Sequence, residues 1–310
     1  MSQKEEIYVC DDELGYCCPQ EPASFYVNDR KKKPLEIYMF IDPLCPECWA
    51  LEPIVKKLQM EYSPYFTLKT VLGNELKSIN KMCMCGSKRE ALLKQLATIF
   101  NETANRTGMP CDGDVWYEHS FTTPYLSLIA IKAAELQGKV IGAKFLRKLR
   151  EAFFLYKKNI ASEEVLIECA RNTAGMDVGE FQTDLHSQSA TKAFHADVKT
   201  AKEMDVTSVP TLVFFNDDVE EPGLKVSGLY DYHIYVNIMK DMLGEEMEKC
   251  SSISVESFLR FYSVVAAKEI SVVFDLTMGE VEKKMKTLQI RQKVERLPVK
   301  YGTLWRYLGD

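Results

Sequence analysis

Apolar positions in this chain follow two rhythms. Leu35-Glu36-Ile37-Tyr38-Met39-Phe40-Ile41 is a nearly unbroken apolar run, and Phe66 to Leu72 is a second one, stopped by Gly73-Asn74. Both predict strands. Between them Leu51, Ile54, Val55 and Leu58 recur at helical spacing, so residues 34–75 read as β-α-β. The helix begins near Pro46, where a missing N–H costs nothing, and Pro53 inside it should kink it. From 88 to 204 the patterns are helical throughout. Leu92, Leu93, Leu96, Ile99 and Phe100 form one apolar face; Thr123-Pro124 opens a further helix that Gln137-Gly138 ends. Ser162-Glu163-Glu164-Val165 is a capped start and Gly175 its stop. Pro210 to Val226 predicts a β-hairpin across Asn216-Asp217-Asp218, followed by a helix through Tyr235, Val236, Met239, Met242 and Leu243.

Polar residues 244–252 read as a linker. Beyond them the pattern predicts a helix over about Val255–Ala267, another over about Lys268–Phe274, a third over about Thr277–Leu288, and short strands around Val294 and Leu304. Three short helices and a basic hairpin suggest a small winged-helix-like unit at 249–310. At the other end, residues 1–33 form a weakly periodic head, expected to be mobile, with Cys10, Cys17, Cys18 and the basic run Arg30-Lys31-Lys32-Lys33.

Cys45-Pro46-Glu47-Cys48 stands at the first strand-to-helix junction. A C-x-x-C there reads as a thioredoxin-type redox motif. Val209-Pro210-Thr211, opening the strand Leu212-Val213-Phe214-Phe215, completes the signature, with Pro210 the candidate cis-proline. The fold class is therefore α/β: a DsbA-like thioredoxin domain over 34–248, with a helical insertion over 80–204. A cysteine at a helix N-terminus is favoured as thiolate by unpaired N–H groups and the positive dipole end. Cys45 has that position and Cys48 lies one turn on as the resolving thiol. Glu47 works against the chemistry, because it puts a negative charge beside the thiolate that must form.

Composition narrows the function. The chain has 310 residues, 46% of them apolar, enough for two domains with sizeable cores. With 39 basic and 45 acidic residues its net charge is −6, poorly suited to nucleic-acid or anionic-membrane binding. The segment 280–306 runs the other way, with eight Lys or Arg against three acids. The N-terminus lacks the pattern of a secretory signal, and no apolar stretch reaches the roughly 18 residues of a membrane span. A cytoplasmic location is expected, where ten cysteines point to redox sensing or metal binding before structural disulfides.

Cys10, Cys17 and Cys18, with Cys83 or Cys85, are the candidate zinc ligands. Zinc wants four thiolate or imidazole ligands in a tetrahedron, and neither Cys83-Met84-Cys85 nor Cys17-Cys18 has the usual spacing. His119, His186, His195 and His233 are isolated from one another and read as surface or packing residues. The third C-terminal helix mixes Lys283, Lys284 and Lys286 with Glu280 and Glu282, which reads as a solvated face more than as a base-reading one.

The stretch from Lys33 to Trp49, including Ile41-Asp42-Pro43-Leu44-Cys45-Pro46-Glu47-Cys48-Trp49, resembles the SpxH (YjbH) family. Ala133-Ala134-Glu135-Leu136-Gln137-Gly138, Asp184-Leu185-His186-Ser187-Gln188-Ser189-Ala190 and Ala267-Lys268-Glu269-Ile270 are similar to further landmarks of it. The likeness covers about residues 33 to 305. It implies a DsbA-like domain followed by a winged-helix-like one. It also implies a cytoplasmic adaptor, not an enzyme, that binds the transcription factor Spx and eases capture of its C-terminal tail by the protease ClpXP. That role needs no cofactor, nucleic acid or membrane. The resemblance also implies that some members carry a histidine- and cysteine-rich N-terminus linked to zinc; here Cys10, Cys17 and Cys18 remain without histidines. Two other readings stay open: a thiol-disulfide oxidoreductase using Cys45 and Cys48, and a redox-responsive DNA-binding protein using the C-terminal unit.

Overall fold

The computed structural model describes residues 8–11, 16–19, 33–73, 87–119, 124–218 and 220–309. In the head, β1 (Tyr8–Asp11) and β2 (Tyr16–Pro19) pair as an antiparallel hairpin. Then come β3 (Leu35–Ile41), α1 (Pro46–Tyr62) and β4 (Phe66–Leu72), the expected β-α-β, with β3 and β4 parallel. Helix α1 continues unbroken through Pro53.

The helical stretch holds α2 (Ser87–Thr107), α3 (Val115–Glu118), α4 (Tyr125–Leu136), α5 (Lys139–Phe154), α6 (Glu163–Arg171), α7 (Val178–Leu185) and α8 (Gln188–Glu203). Helix α6 stops four residues short of Gly175, which turns the chain at φ +87°. Strands β5 (Thr211–Phe215) and β6 (Leu224–Ser227) close a four-stranded sheet of order β4-β3-β5-β6. Their connection is longer than the expected three-residue turn, since β6 begins only at Leu224. Helix α9 (Tyr232–Leu243) follows and ends at Gly244, whose φ of +66° suits glycine.

The unbroken apolar pattern of β3 has a clear cause. Leu35, Ile37, Met39 and Ile41 are buried in the main core. Phe40 is buried on the opposite face with Val71, Val213 and Ala201 of α8. A strand covered on both faces has no solvent side to spend polar residues on.

The C-terminal unit contains α10 (Val255–Tyr262), β7 (Val264–Ala266), α11 (Ala267–Val273), α12 (Met278–Ile290), β8 (Val294–Pro298) and β9 (Thr303–Tyr307). Here one expectation fails: the helix predicted to reach Ala267 stops at Tyr262. Ser263 takes φ +62° and ends it, and Val264-Val265-Ala266 pair with Arg306, Trp305 and Leu304. Two β-branched residues gain more from a sheet than from another helical turn. The sheet order is β7-β9-β8, so the basic hairpin carries a third strand.

The unit is tied closely to the rest of the chain. Val264, Ala266 and Leu304 join the main core, while Phe258, Ile270, Met285 and Trp305 form a second cluster behind it. The expected linker is anchored too: the Cys250 N–H donates to the Glu61 carbonyl at 2.8 Å, and the Glu248 N–H to the Tyr65 hydroxyl at 2.9 Å. Among the described residues, no helix is long and apolar enough to cross a membrane.

Candidate functional site

Cys45 is the N-cap of α1, and its sulfur accepts the Cys48 N–H at 3.3 Å. The Val209–Pro210 peptide bond is cis. It brings the Val209 carbonyl to 3.8 Å from the Cys45 sulfur, whose thiol donates to it across 164 residues of sequence. Both cysteines are free thiols, Cys45 part exposed and Cys48 only 2% exposed. Access therefore makes Cys45 the sulfur that an incoming disulfide meets. Burial pushes the Cys48 thiol well above the usual cysteine range, and the neighbouring Cys45 adds to the rise.

Glu47 does not stand as the isolated charge that the motif suggested. Its carboxylate turns to α2, where Thr103 donates to it at 2.9 Å and Arg106 forms an ion pair with it. A shallow recess of about 590 Å³ opens there, lined by Glu47, Ile99, Glu102, Thr103 and Arg106. Trp49, next to Cys48, stacks on Phe154 at 5.4 Å and donates its indole N–H to the Pro110 carbonyl at 2.8 Å. The adjacent Cys111 is buried, and burial again raises its thiol.

A larger polar assembly runs along the buried side of α1. Cys48, Glu52 and Lys56 are spaced four residues apart and share one face. From α5, Arg147 reaches Glu52, Glu151 and Glu269, and donates to the Val264 carbonyl at 3.1 Å. Glu269, on α11, is fully buried. It accepts from Arg147 at 2.9 and 3.0 Å, from Lys56 at 2.5 Å and from the Ala266 N–H at 2.7 Å, which uses all four of its lone-pair sites. Burial alone would raise its carboxyl, but Arg147 and Lys56 outweigh burial and hold it at about 2. The C-terminal hairpin makes a second contact: Lys300 reaches Asp112 at 3.1 Å and Asp114 at 2.7 Å, on the loop that holds Pro110.

A separate cavity of about 400 Å³ beside β4 is lined by Tyr38, Lys69, Lys132, Glu135 and Asp197 among others. Its buried Lys132 is bound by Glu135 at 2.7 Å and Asp197 at 2.6 Å, and Asp197 also takes the Leu72 N–H. These groups satisfy one another and fasten α4 and α8 to the sheet.

Residues 38–237 match the family model described as Thioredoxin. A solved structure from Nitrosomonas europaea, described as a protein disulfide isomerase, superposes with a TM-score of 0.55 at 17% identity, covering 69% of this chain and 97% of that one. One from Streptomyces coelicolor, described as a DsbA oxidoreductase, gives 0.51 at 17% identity over 71% and 94%. These likenesses establish the thioredoxin-like fold. The ClpXP adapter protein SpxH of Halalkalibacterium halodurans is 51% identical over 308 residues, 99% of this chain and all of the relative. This chain belongs to the SpxH family. SpxH of Bacillus subtilis is 48% identical over 92% of this chain and 93% of its own.

For this SpxH-family chain, the structure brings Cys45, Cys48 and Pro210 together. Of the candidate zinc ligands, Cys10 and Cys17 are register partners in the hairpin and Cys18 pairs with Val9. Their thiols, and Cys83 and Cys85, lie outside the described residues. Among the described residues, no group of His, Cys, Asp and Glu converges for a metal. His119 bonds the Lys157 carbonyl at 2.7 Å, His186 meets Glu163 at 3.1 Å, and His195 packs beside Phe194. Sequence reasoning missed Arg147, Arg150 and Glu269 as an assembly. The signal was present as Glu52 and Lys56 on the otherwise apolar face of α1, where charges need buried partners.

Proposed function

We propose that this chain is a cytoplasmic adaptor that binds the transcription factor Spx and delivers it to the ClpXP protease. The observation that carries the reading is similarity along the whole chain, C-terminal unit included, to relatives named as ClpXP adapters. An adaptor makes and breaks no bond. It raises the effective concentration of substrate at the unfoldase, to about the millimolar range for a short tether. It also holds the substrate tail in a form that the unfoldase can capture. The fold suits the task. The thioredoxin-like unit offers a broad surface, and about 800 Å² per partner makes a specific interface.

The test is degradation of purified Spx by ClpXP, followed by gel with and without this chain. Acceleration at substoichiometric chain is expected. An unchanged rate with saturating chain would reject the reading.

A second reading, thiol-disulfide exchange, is favoured by one observation: Cys45 caps α1 directly against the Val209 carbonyl.

A further inference from the structure

Strand β4 lies at one edge of the main sheet, so β3 bonds only one side of it. Along a strand the backbone groups turn to the two sides alternately. Gly73 donates its N–H toward β3, to the Ile41 carbonyl at 2.7 Å. Leu72 donates outward, to Asp197 of α8 at 2.8 Å. The N–H and C=O groups of Leu68 and Thr70, at even steps from Leu72, therefore point outward too. Among the described residues, no group bonds them. The side chain of Asp197 thus caps this edge at Leu72 and leaves it open two and four residues earlier. Folded proteins ordinarily cover or blunt such an edge, because it is a template for a further strand.

The cavity of about 400 Å³ lies against this open stretch. Leu68 to Val71 line one side of it, and Lys139, Ala143 and Leu146, on successive turns of α5, line another. Its volume is within the range of roughly 300–1,000 Å³ typical of ligand sites. The walls are tightly built: a Cβ on Gly142 would lie 2.4 Å from Glu135 Cγ, so α5 and α4 are in close contact there. The charges are unevenly used. Glu135 and Asp197 are both spent on the buried Lys132. Lys69 pairs with Glu36 and donates to the Tyr38 hydroxyl at 3.1 Å. Lys139 is exposed and has no carboxylate partner among the described residues. The charge left over for a ligand is positive.

Open N–H and C=O groups two residues apart match an extended peptide, whose own groups repeat at that interval. A helix, with its backbone groups spent internally, does not match them. We propose that the β4 edge is a docking site for an extended segment of a partner protein, which adds as a strand against Leu68 and Thr70 and turns an acidic side chain to Lys139.

The experiment titrates the full isotope-labelled chain with the blocked pentapeptide Ser-Val-Glu-Val-Ser and follows the backbone amide resonances. The Leu68 and Thr70 amides should shift most, with half-saturation near about 1 mM, as a few ladder bonds would give. Methylating the amide nitrogens of alternate peptide residues should weaken binding about tenfold in one register and less than about twofold in the other, the two-residue period of strand addition. Replacing the peptide glutamate by lysine should weaken binding about fivefold, and Lys139→Glu should reverse that preference. Thr70→Pro removes an outward donor without touching the ladder to β3, and should abolish binding. Ala143→Leu fills the groove from α5 and should do the same; if Thr70→Pro does not fold, Ala143→Leu decides. Shifts confined to other parts of the chain, equal effects of the two methylation registers, or binding that survives Ala143→Leu would overturn the proposal. So would an absence of shifts at about tenfold higher peptide. Leu68 and Thr70 shifts produced by raising the chain concentration alone would make a second copy the occupant and overturn it as well.

Discussion

Arg147 and Glu269 meet as a two-pronged pair, Nη1 to Oε1 at 2.9 Å and Nη2 to Oε2 at 3.0 Å, across 122 residues of sequence. Both are buried, and every N–H of Arg147 has an acceptor. The pair fastens the C-terminal unit to α5, and Lys56, donating to the same carboxylate, fastens it to α1, which carries the dithiol.

Breaking it should be expensive. Glu269→Ala leaves Arg147 and Lys56 buried without their main partner, and removal of one member of such a pair costs about 3–5 kcal/mol. Urea denaturation should show that loss at neutral pH. A loss below about 1 kcal/mol would mean that water reaches the cluster.

Acid should mimic the substitution. The Glu269 carboxyl is held at about 2, below its ordinary value of 4.5. Its contribution is therefore complete above about pH 4.5 and is lost as pH falls toward 2, a change of roughly 3 kcal/mol. Stability measured against pH should fall less steeply in this window for Glu269→Gln than for the wild type. Equal slopes would assign the acid sensitivity to other carboxylates.

Cys45 and Cys48 should be dispensable for delivery under reducing conditions. The Cys45→Ser/Cys48→Ser protein should support Spx degradation at close to the wild-type rate, because grip and presentation need no covalent bond. A loss beyond about tenfold with an intact circular dichroism spectrum, equivalent to about 1.4 kcal/mol, would make the dithiol part of the adaptor mechanism.

The C-terminal unit should bind DNA only weakly. On α12, exposed Lys283, Lys284 and Lys286 alternate with Glu280 and Glu282, and Lys286 and Arg296 both approach Glu282, at 3.5 and 3.9 Å. Any affinity should come from phosphate contacts and fall steeply with salt. Sub-micromolar, sequence-selective binding at about 150 mM salt, tighter than the non-specific range, would reject this.

Gly113→Ala should destabilise the loop behind the dithiol. A Cβ there would lie 2.3 Å from the Ala97 carbonyl oxygen and 2.9 Å from its carbon. Backbone cannot rotate away as a side chain can, so a cost of about 2 kcal/mol is expected. Thermal unfolding measures it, and an unchanged midpoint would show that the loop shifts freely.

Much of the fold was legible because its causes are local. The β-α-β unit follows from two apolar runs around a helical repeat, and the dithiol from its place at a helix start, all within about forty residues. The helix end at Gln137 was likewise visible in turn chemistry. Strand β7 was not, because Val264-Val265-Ala266 continues a helical pattern. It is the pairing with β9, forty residues on, that makes it a strand.

The sequence by itself determined which segments bury apolar faces and where a reactive thiol can sit, since periodicity and capping act between neighbours. Tertiary structure decided which charges meet. Glu47 is neutralised by Arg106, 59 residues away, and Glu269 balances a cluster built from two other helices. Charge pairing depends on distance and burial in space, and neither is written in the order of residues along the chain.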